Sequence, residues 1–308
     1  MGDGTGIEWT DATWNPTVGC SLVSPGCTNC YAMRLAGRLE AMGSAIYRGH
    51  TIRTKAGHVW NGKVSASNYG QVIKPLSWKR PRRIFVNSMS DLFHEDMPDE
   101  LIDRVFAVMA LAPWHTFQVL TKRSERMQRY MTERWQPTKA QRIDFGGGDV
   151  LDIPAATSGE TRHDQVIQAC EEFIQKFNLA DQNNEDHWVD GSLKATRFAW
   201  PLPNLWLGVS VEDQARLGRI NDLADTPAAR RFISFEPLLE YLGDVDLSGI
   251  DMAIVGGESG PGHRFMEADW ARSLRDQCRG QGVRFFMKQM SGKGTIPADL
   301  MIREFPDG

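Results

Sequence analysis

The sequence lacks several features that would assign it to a special class of protein. It has no run of about 18 apolar residues, the length that a membrane-spanning helix needs, and no apolar h-region of a signal peptide. It also lacks an excess of basic residues: the formal net charge is −4, so a nucleic-acid partner would have to bind a local basic patch. We therefore expect a cytoplasmic protein with no membrane partner.

Cysteine is scarce, with five residues in 308, but it is unevenly distributed. Cys20, Cys27 and Cys30 lie within one short segment that also contains Pro25 and Gly26. In a reducing compartment, thiols spaced this closely indicate a metal site rather than a disulfide. Soft thiolate ligands select zinc, copper(I) or an iron–sulfur cluster. Three ligands are one fewer than a closed site needs, so one coordination position is left for a group that is not protein.

The order of the predicted elements favours an α/β fold. Seven short apolar segments predict strands, and most are followed by a helical pattern: 7–14, 83–88, 116–120, 205–210, 231–236, 252–255 and 283–287. This alternation predicts a parallel, barrel-like sheet, and it places the cysteine segment at the carboxyl end of the first strand, where such barrels carry their chemistry.

The alternation is interrupted between residues 136 and 200, which predicts an inserted, mainly helical segment. We therefore expect an N-terminal half-barrel over residues 1–135, the insertion over 136–200 and a C-terminal half-barrel over 201–308. An amphipathic helix in the insertion contains Cys170 on its apolar face, and Cys278 lies on the apolar face of the helix predicted for 268–279. Both are predicted to be thiols of the core rather than ligands.

Several longer motifs point to a family. The cysteine segment after the first strand, followed by a partial barrel, resembles the radical S-adenosylmethionine (SAM) superfamily. The sequence is also similar to a phage-associated family of unknown function that is related to spore photoproduct lyase. That similarity covers nearly the whole chain except about 136–199, and it is carried by residues 7–16, 208–212, 236–239, 255–260 and 286–289.

The resemblance implies a partial (β/α)6-type parallel barrel of the radical SAM kind. It further implies that Cys20, Cys27 and Cys30 each bind one iron of a [4Fe–4S] cluster, while SAM chelates the fourth iron. An electron donor such as flavodoxin or ferredoxin would reduce the cluster. Cleavage of SAM would then yield a 5′-deoxyadenosyl radical that abstracts hydrogen from a substrate. The first gap in the cysteine motif is six residues here, where three are usual in the superfamily.

Polar residues at the ends of the predicted strands are the candidates for binding SAM. For most of them a simpler role is open: a self-capping turn after the second strand, a helix N-cap at Ser210, or a surface lysine at Lys288. The glycines offer backbone N–H groups and close approach to a ligand. The candidates are Asn87, Ser88, Ser90, Asp91, Ser210, Glu212, Ser234, Glu236, Gly256, Gly257, Glu258 and Lys288.

The substrate is predicted from basic and aromatic residues. The aromatic-rich segment 47–79 and five cations, named below, could form a surface that binds phosphates and stacks on bases. The alternative is that segment 47–79 is a solvated loop held in place by its aromatic side chains. We expect an enzyme that repairs or modifies DNA or a nucleobase. Two alternatives stay open: a radical SAM enzyme for a peptide or small metabolite, and a nucleic-acid-binding protein with zinc held by the three cysteines and His50 or His94. The five cations are Arg80, Arg82, Arg83, Lys122 and Arg123.

Overall fold

The chain folds around one seven-stranded sheet. The structure is a computed structural model and describes residues 5–55, 57–132, 141–144, 150–153, 161–177 and 199–306. Strand order along the sheet follows chain order, and every neighbouring pair is parallel. The strands are β1 (Ala12–Trp14), β2 (Arg83–Val86), β3 (Thr116–Thr121), β4 (Leu205–Ser210), β5 (Arg230–Phe235), β6 (Met252–Gly256) and β7 (Arg284–Gln289). The predicted partial parallel barrel is confirmed, although β1 is shorter than the predicted segment 7–14.

Helices follow or connect the strands on the outer side of the sheet. They are α1 (Tyr31–Ala41), α2 (Asp99–Leu111), α3 (Ser124–Thr132), α4 (Arg162–Phe177), α5 (Gly218–Ala224) and α6 (Ala268–Gln281). The reason for their placement is visible in α6, where Ala271, Leu274 and Cys278 are buried at helical spacing. The helix ends at Gly282, whose φ of 73° suits a residue without a side chain.

The two faces of the sheet are covered by different clusters of side chains. Successive residues of a strand point to opposite faces, so Ile84 and Val86 pack outward under the helices, whereas Phe85 points into the barrel. The inner cluster is mostly aromatic and contains Trp9, Phe85, Trp206, Phe232, Met252, Ile254 and Phe286. Gly208 makes room for it, because a Cβ at that position would lie 2.5 Å from the Phe232 ring.

The segment that the sequence predicts to be an insertion contributes to the core through α4. Val166, Cys170 and Phe173 are buried in the same cluster as the apolar residues of α2. Cys170 and Cys278 are both fully buried, which confirms that they are core thiols. The insertion also contains an antiparallel strand pair, Gln141–Asp144 with Val150–Ile153, in addition to the predicted helix. Its residues 136–140, 145–149, 154–160 and 178–198 lie outside the described part of the chain.

Two short antiparallel pairs lie outside the main sheet: Thr51–Thr54 with Gly57–Trp60, both between α1 and β2, and Thr17–Val18, which follows β1, with Ser65–Ala66. Among the described helices, none is both long and apolar enough to cross a membrane.

Candidate functional site

A cavity of about 500 Å³ lies at the carboxyl edge of the sheet, and the cysteine segment forms part of its wall. All three cysteines of that segment line it, as the spacing predicted. Its apolar lining includes Trp9, Phe85 and Leu120, which belong to or pack against the inner cluster. Its size falls within the range of small-molecule sites, and its place in the fold is where parallel barrels bind their ligands.

The donor set distinguishes between the two kinds of metal centre considered from the sequence. Cys20, Cys27 and Cys30 are free thiols of intermediate exposure. Among the described residues, no group of three or more His, Cys, Asp or Glu side chains could hold a metal ion, so the structure does not form the zinc site. His50 and His94 are instead hydrogen-bonded to Ser65 and Ser21. Three free thiols that line one cavity match the donor type and number of a four-iron cluster with one iron left for a ligand that is not protein.

Cys20 contacts a buried arginine at the end of β3. The guanidinium of Arg123 lies 3.8 Å from Cys20 Sγ, forms a 2.8 Å ion pair with Asp91 Oδ2 and donates to Ser21 Oγ at 2.7 Å. Burial, aided by the charge of Asp91 and opposed by Arg123, raises the pKa of the Cys20 thiol to about 12. Thr121 donates to the other Asp91 oxygen at 2.7 Å, so this predicted SAM ligand is already hydrogen-bonded within the protein.

The segment between Cys20 and Cys27 contacts a carboxylate just beyond β4. Glu212 is fully buried and accepts a hydrogen bond from the Gly26 backbone N–H at 3.4 Å. Its other oxygen accepts from Arg219 at 3.0 Å. Glu212 does not belong to the cavity lining, whereas Ser210 does. The predicted N-cap role of Ser210 is wrong, because the short helix after β4 begins after Asp213 without a side-chain cap.

The segment between Cys27 and Cys30 contacts a carboxylate just beyond β6. Asn29 Nδ2 donates to Glu258 Oε2 at 2.9 Å, and Arg264 forms an ion pair with the same carboxylate. Arg264 also donates to the Pro25 carbonyl at 2.9 Å. Burial raises the pKa of Glu258, but the hydrogen bonds from Arg264 and Asn29 outweigh burial and hold this pKa below its ordinary value.

The turn after β2 is held by side-chain hydrogen bonds to the chain after β1 and leaves one acceptor without a donor among the described residues. Ser88 donates to Asn15 Oδ1 at 3.1 Å and Ser90 to the Thr17 carbonyl at 3.0 Å, so both hold the turn against the chain that follows β1. Asn87 adopts a φ of 61°, which asparagine tolerates. Its Nδ2 donates to Thr17, but its buried Oδ1 has no hydrogen-bond donor among the described residues. Asn87 lines the cavity, so that oxygen is a candidate acceptor for a ligand.

The residues at the carboxyl ends of β5, β6 and β7 are closely packed. Lys288 forms a 2.8 Å ion pair with Glu236, which also accepts from Ser234 at 3.3 Å. All three line the cavity. A Cβ on Gly256 would lie 2.7 Å from Glu236 Oε1, and one on Gly257 would lie 2.5 Å from Ser291 Oγ. Both glycines are therefore required for packing, and only Gly257 lines the cavity.

The cations near the cavity differ from those predicted. Arg82 and Arg83 lie at the amino end of β2, on the opposite edge, where Arg82 stacks over Trp78 and Arg83 pairs with Asp11. Arg80 precedes the same strand end, so the predicted surface of five cations is not formed. Lys122 and Arg123 do line the cavity, and two arginines of α1, Arg34 and Arg38, join them. Arg34 lies four residues after Cys30, and Arg38 lies four residues after Arg34. This spacing puts both arginines on one face of α1 and was the sequence signal for them.

The charges around the cavity leave an excess of positive charge. Each acid that lines it has a cationic partner: Asp91 with Arg123, Glu236 with Lys288, and Glu258 with Arg264. Arg38 and Lys122 have no side-chain hydrogen bond or ion pair with any residue that the structure describes. Arg34 donates only to neutral oxygens, those of Asn29 and Pro261. The aromatics of segment 47–79 are mostly core residues, and of them only Trp60 lines the cavity.

Comparisons with known proteins give one family and a distant structural similarity. A family model described as "Protein of unknown function (DUF5131)" matches residues 4–299. No curated protein is significantly similar to the chain. A solved structure of spore photoproduct lyase complexed with dinucleoside spore photoproduct is 9% identical, with a TM-score of 0.43 over 94% of this chain and 78% of that one. A mutant of that enzyme with the same dinucleoside is 8% identical, with a TM-score of 0.41 and the same coverage.

Proposed function

The chain belongs to the family of proteins of unknown function DUF5131, and we propose that it is a radical SAM enzyme. The observation that carries the proposal is the convergence of three free thiols from one segment on a single cavity at the carboxyl edge of a parallel barrel. Cys20, Cys27 and Cys30 would hold a [4Fe–4S] cluster. When bound, the cluster with SAM supplies a radical able to take hydrogen from an unactivated C–H bond.

The residues around the thiols would bind SAM and exclude water. Trp9, Phe85 and Leu120 give the cavity an apolar side where solvent is a poor competitor. Asn87 Oδ1 is the acceptor we assign to the amino group of SAM, because it is buried and has no donor among the described residues. Ser234 and the backbone of Gly257 line the same cavity and are the further polar groups that could orient the cofactor.

We propose that the substrate is DNA or a nucleobase-containing molecule, with repair or modification as the outcome. Arg38 and Lys122 line the cavity as cations without an anionic partner among the described residues, which suits the phosphates of a nucleotide. Tyr31 is 54% exposed and also lines the cavity, so its ring is available for stacking on a base. A base inside duplex DNA would have to be flipped out or already single-stranded to reach the thiol side of this cavity.

The first test is anaerobic reconstitution with iron and sulfide. We expect the wild type to take up about four irons per chain and to become brown. The Cys27→Ala variant should lose most of this iron, because one of the three ligands is gone. The matched control is Cys278→Ala, which removes a core thiol that does not line the cavity. Equal iron uptake by both variants, or a colourless wild type, would refute the ligand assignment.

A further inference from the structure

Three side chains near strand ends contact the cysteine segment: Arg123, which pairs with Asp91, at the first cysteine, Glu212 in the first interval of the motif and Glu258 in the second. We infer that Arg123, Glu212 and Glu258 act as a set of positioning residues. They fix the segment from residue 19 to residue 31, called here the cysteine loop, and thereby the positions of its thiols. The inference rests on the proposed function in one respect, which is that the group bound by the thiols is a [4Fe–4S] cluster.

The cysteine loop has little of its own to hold it. Before α1 begins at Tyr31, the regular structure of the loop is a single 3₁₀ turn, Pro25–Cys27, in which no residue is buried. Leu22 is 44% exposed and Val23 is 38% exposed, so the six-residue gap between the first two cysteines does not enter the core. A segment with few buried apolar contacts opens locally at low cost unless polar contacts hold it. The long first gap of this motif therefore needs external contacts.

Arg123 supplies the contact at the first cysteine. Its side chain is almost fully buried, and both Nε and Nη1 are engaged by carboxylates, those of Glu95 and Asp91. The guanidinium is thus fixed in orientation while it reaches Cys20 Sγ at 3.8 Å and Ser21 Oγ at 2.7 Å. A hydrogen bond to a ligand sulfur also changes the reduction potential of a cluster, so Arg123 has an electronic effect besides its mechanical one.

Glu212 supplies the contact at the end of the first interval, next to Cys27. Its carboxylate approaches the loop so closely that a Cβ on Gly26 would lie 3.1 Å from the carboxyl carbon. Only glycine allows this approach without displacement. Arg219 holds the other oxygen of Glu212, so the orientation of the acceptor does not depend on the loop alone.

Glu258 supplies the contact in the second interval. It accepts from Asn29 at 2.9 Å, and Arg264 links the same carboxylate to the Pro25 carbonyl. Arg34 from α1 donates to the Asn29 oxygen at 2.9 Å. The amide of Asn29 is therefore held on both sides, midway between Cys27 and Cys30.

Hydrogen exchange of the metal-free protein tests the mechanical part without any cofactor. The variants are Glu212→Gln, Glu258→Gln and Asn29→Leu, the last breaking the Glu258 contact from the loop side. We expect amides of the cysteine loop to exchange about tenfold faster or more in each, because Glu→Gln removes the charge that strengthens the hydrogen bond and Asn29→Leu removes the donor. The matched control is Glu240→Gln, which alters a glutamate that accepts a backbone N–H from Gln214, away from the loop.

The pair of variants around Glu258 adds a further criterion. Asn29→Leu and Glu258→Gln remove the same contact, so their effects on exchange should not add in the double variant. If Glu258→Gln does not fold, loop exchange in Asn29→Leu alone tests the contact, because the Asn29 side chain is only partly buried. Loop exchange in these variants that matches the Glu240→Gln control overturns the inference, whether or not the protein binds a cluster.

The electronic part is tested on the reconstituted protein by potentiometry. Arg123→Met should shift the midpoint potential of the cluster and lower the iron content, and Arg123→Lys should recover part of the shift because it keeps the charge. The control is Arg126→Met. Arg126 lies three residues after Arg123, and the substitution breaks its ion pair with Asp99. A wild type that binds no cluster refutes the proposed function. A wild type with a cluster whose potential is unchanged in Arg123→Met refutes the role of Arg123.

Discussion

At the scale of single residues, the acids that line the cavity are partners of neighbouring cations rather than free ligands. Asp91, Glu236 and Glu258 are each paired within the protein. This leaves Arg38 and Lys122 as lining cations without an anionic partner among the described residues. The side chains that line the cavity therefore carry more positive than negative charge, although the whole chain carries a net charge of −4.

The first prediction concerns these two cations. Lys122→Gln and Arg38→Gln should each weaken binding of single-stranded oligonucleotides and reduce the salt dependence of the binding constant by about one unit of slope, since each removes about one phosphate contact. Fluorescence anisotropy over a series of salt concentrations measures both quantities. Arg279→Gln is the charge-matched control on the exposed last turn of α6. Slopes that do not differ from that control would favour a peptide or an uncharged metabolite as substrate.

A second residue-scale prediction concerns the buried carboxyl of Asp103, which accepts a hydrogen bond from Tyr130 at 2.7 Å and pairs with Arg162 at 3.1 Å. Burial outweighs the charge of Arg162 and raises the pKa of Asp103 from 3.8 to about 7. Between these two pH values the folded protein keeps a proton that the unfolded chain has released. The contribution of Asp103 to the free energy of unfolding therefore falls as the pH rises through this window.

Urea unfolding at pH 5 and pH 8 checks this sign. The wild type should lose stability relative to Asp103→Asn on going from pH 5 to pH 8, because the neutral amide cannot ionise. A wild type that gains stability relative to the variant over that range would show that the ion pair with Arg162 dominates instead.

The residues that line the cavity were easier to predict from the sequence than the residues they contact. The three cysteines and most of the strand-end residues line the cavity as expected, since strand ends are local features of the pattern. The partners were not predictable, because the Asn29–Glu258 and Gly26–Glu212 contacts join residues 229 and 186 positions apart. A single sequence carries no signal for such pairs. The free Asn87 oxygen is likewise visible only once its surroundings are packed.

At the scale of elements, the short apolar segments and the helical patterns between them were sufficient to predict the sheet. Each of the seven predicted segments overlaps one strand of the sheet, and buried residues on both faces gave the apolar runs typical of parallel strands. Element ends were less predictable: the expected N-cap at Ser210 fails because the chain first makes a short 3₁₀ turn, Gln214–Arg216, before α5 begins.

The helix of the insertion gives the third prediction. Phe173 is buried between α4 and the core and packs edge-on against Tyr69, with ring centroids 5.8 Å apart. Phe173→Ala should lower the free energy of unfolding by about 3–5 kcal/mol, as expected for a large cavity. Glu171→Ala, on the exposed side of the same helix, should change it by no more than about 0.5 kcal/mol. Equal effects in urea titrations would mean that α4 does not belong to the core.

At the scale of the whole molecule, the two predicted half-barrels form one continuous sheet. β3 from the first half pairs with β4 from the second over five residues, and β4 is buried along its whole length. The cavity draws residues from both halves, so the cysteine loop of the first half is held by Glu212 and Glu258 of the second. Neither half contains a complete site, and the radical chemistry we propose needs the intact sheet.

The most direct measurement of the proposed function is the formation of 5′-deoxyadenosine from SAM by the reconstituted, reduced protein under strict anaerobiosis. The account predicts 5′-deoxyadenosine from the wild type and from Cys278→Ala, and none above background from Cys27→Ala. Undiminished product from Cys27→Ala, or no product from a wild type that carries about four irons per chain, would contradict it.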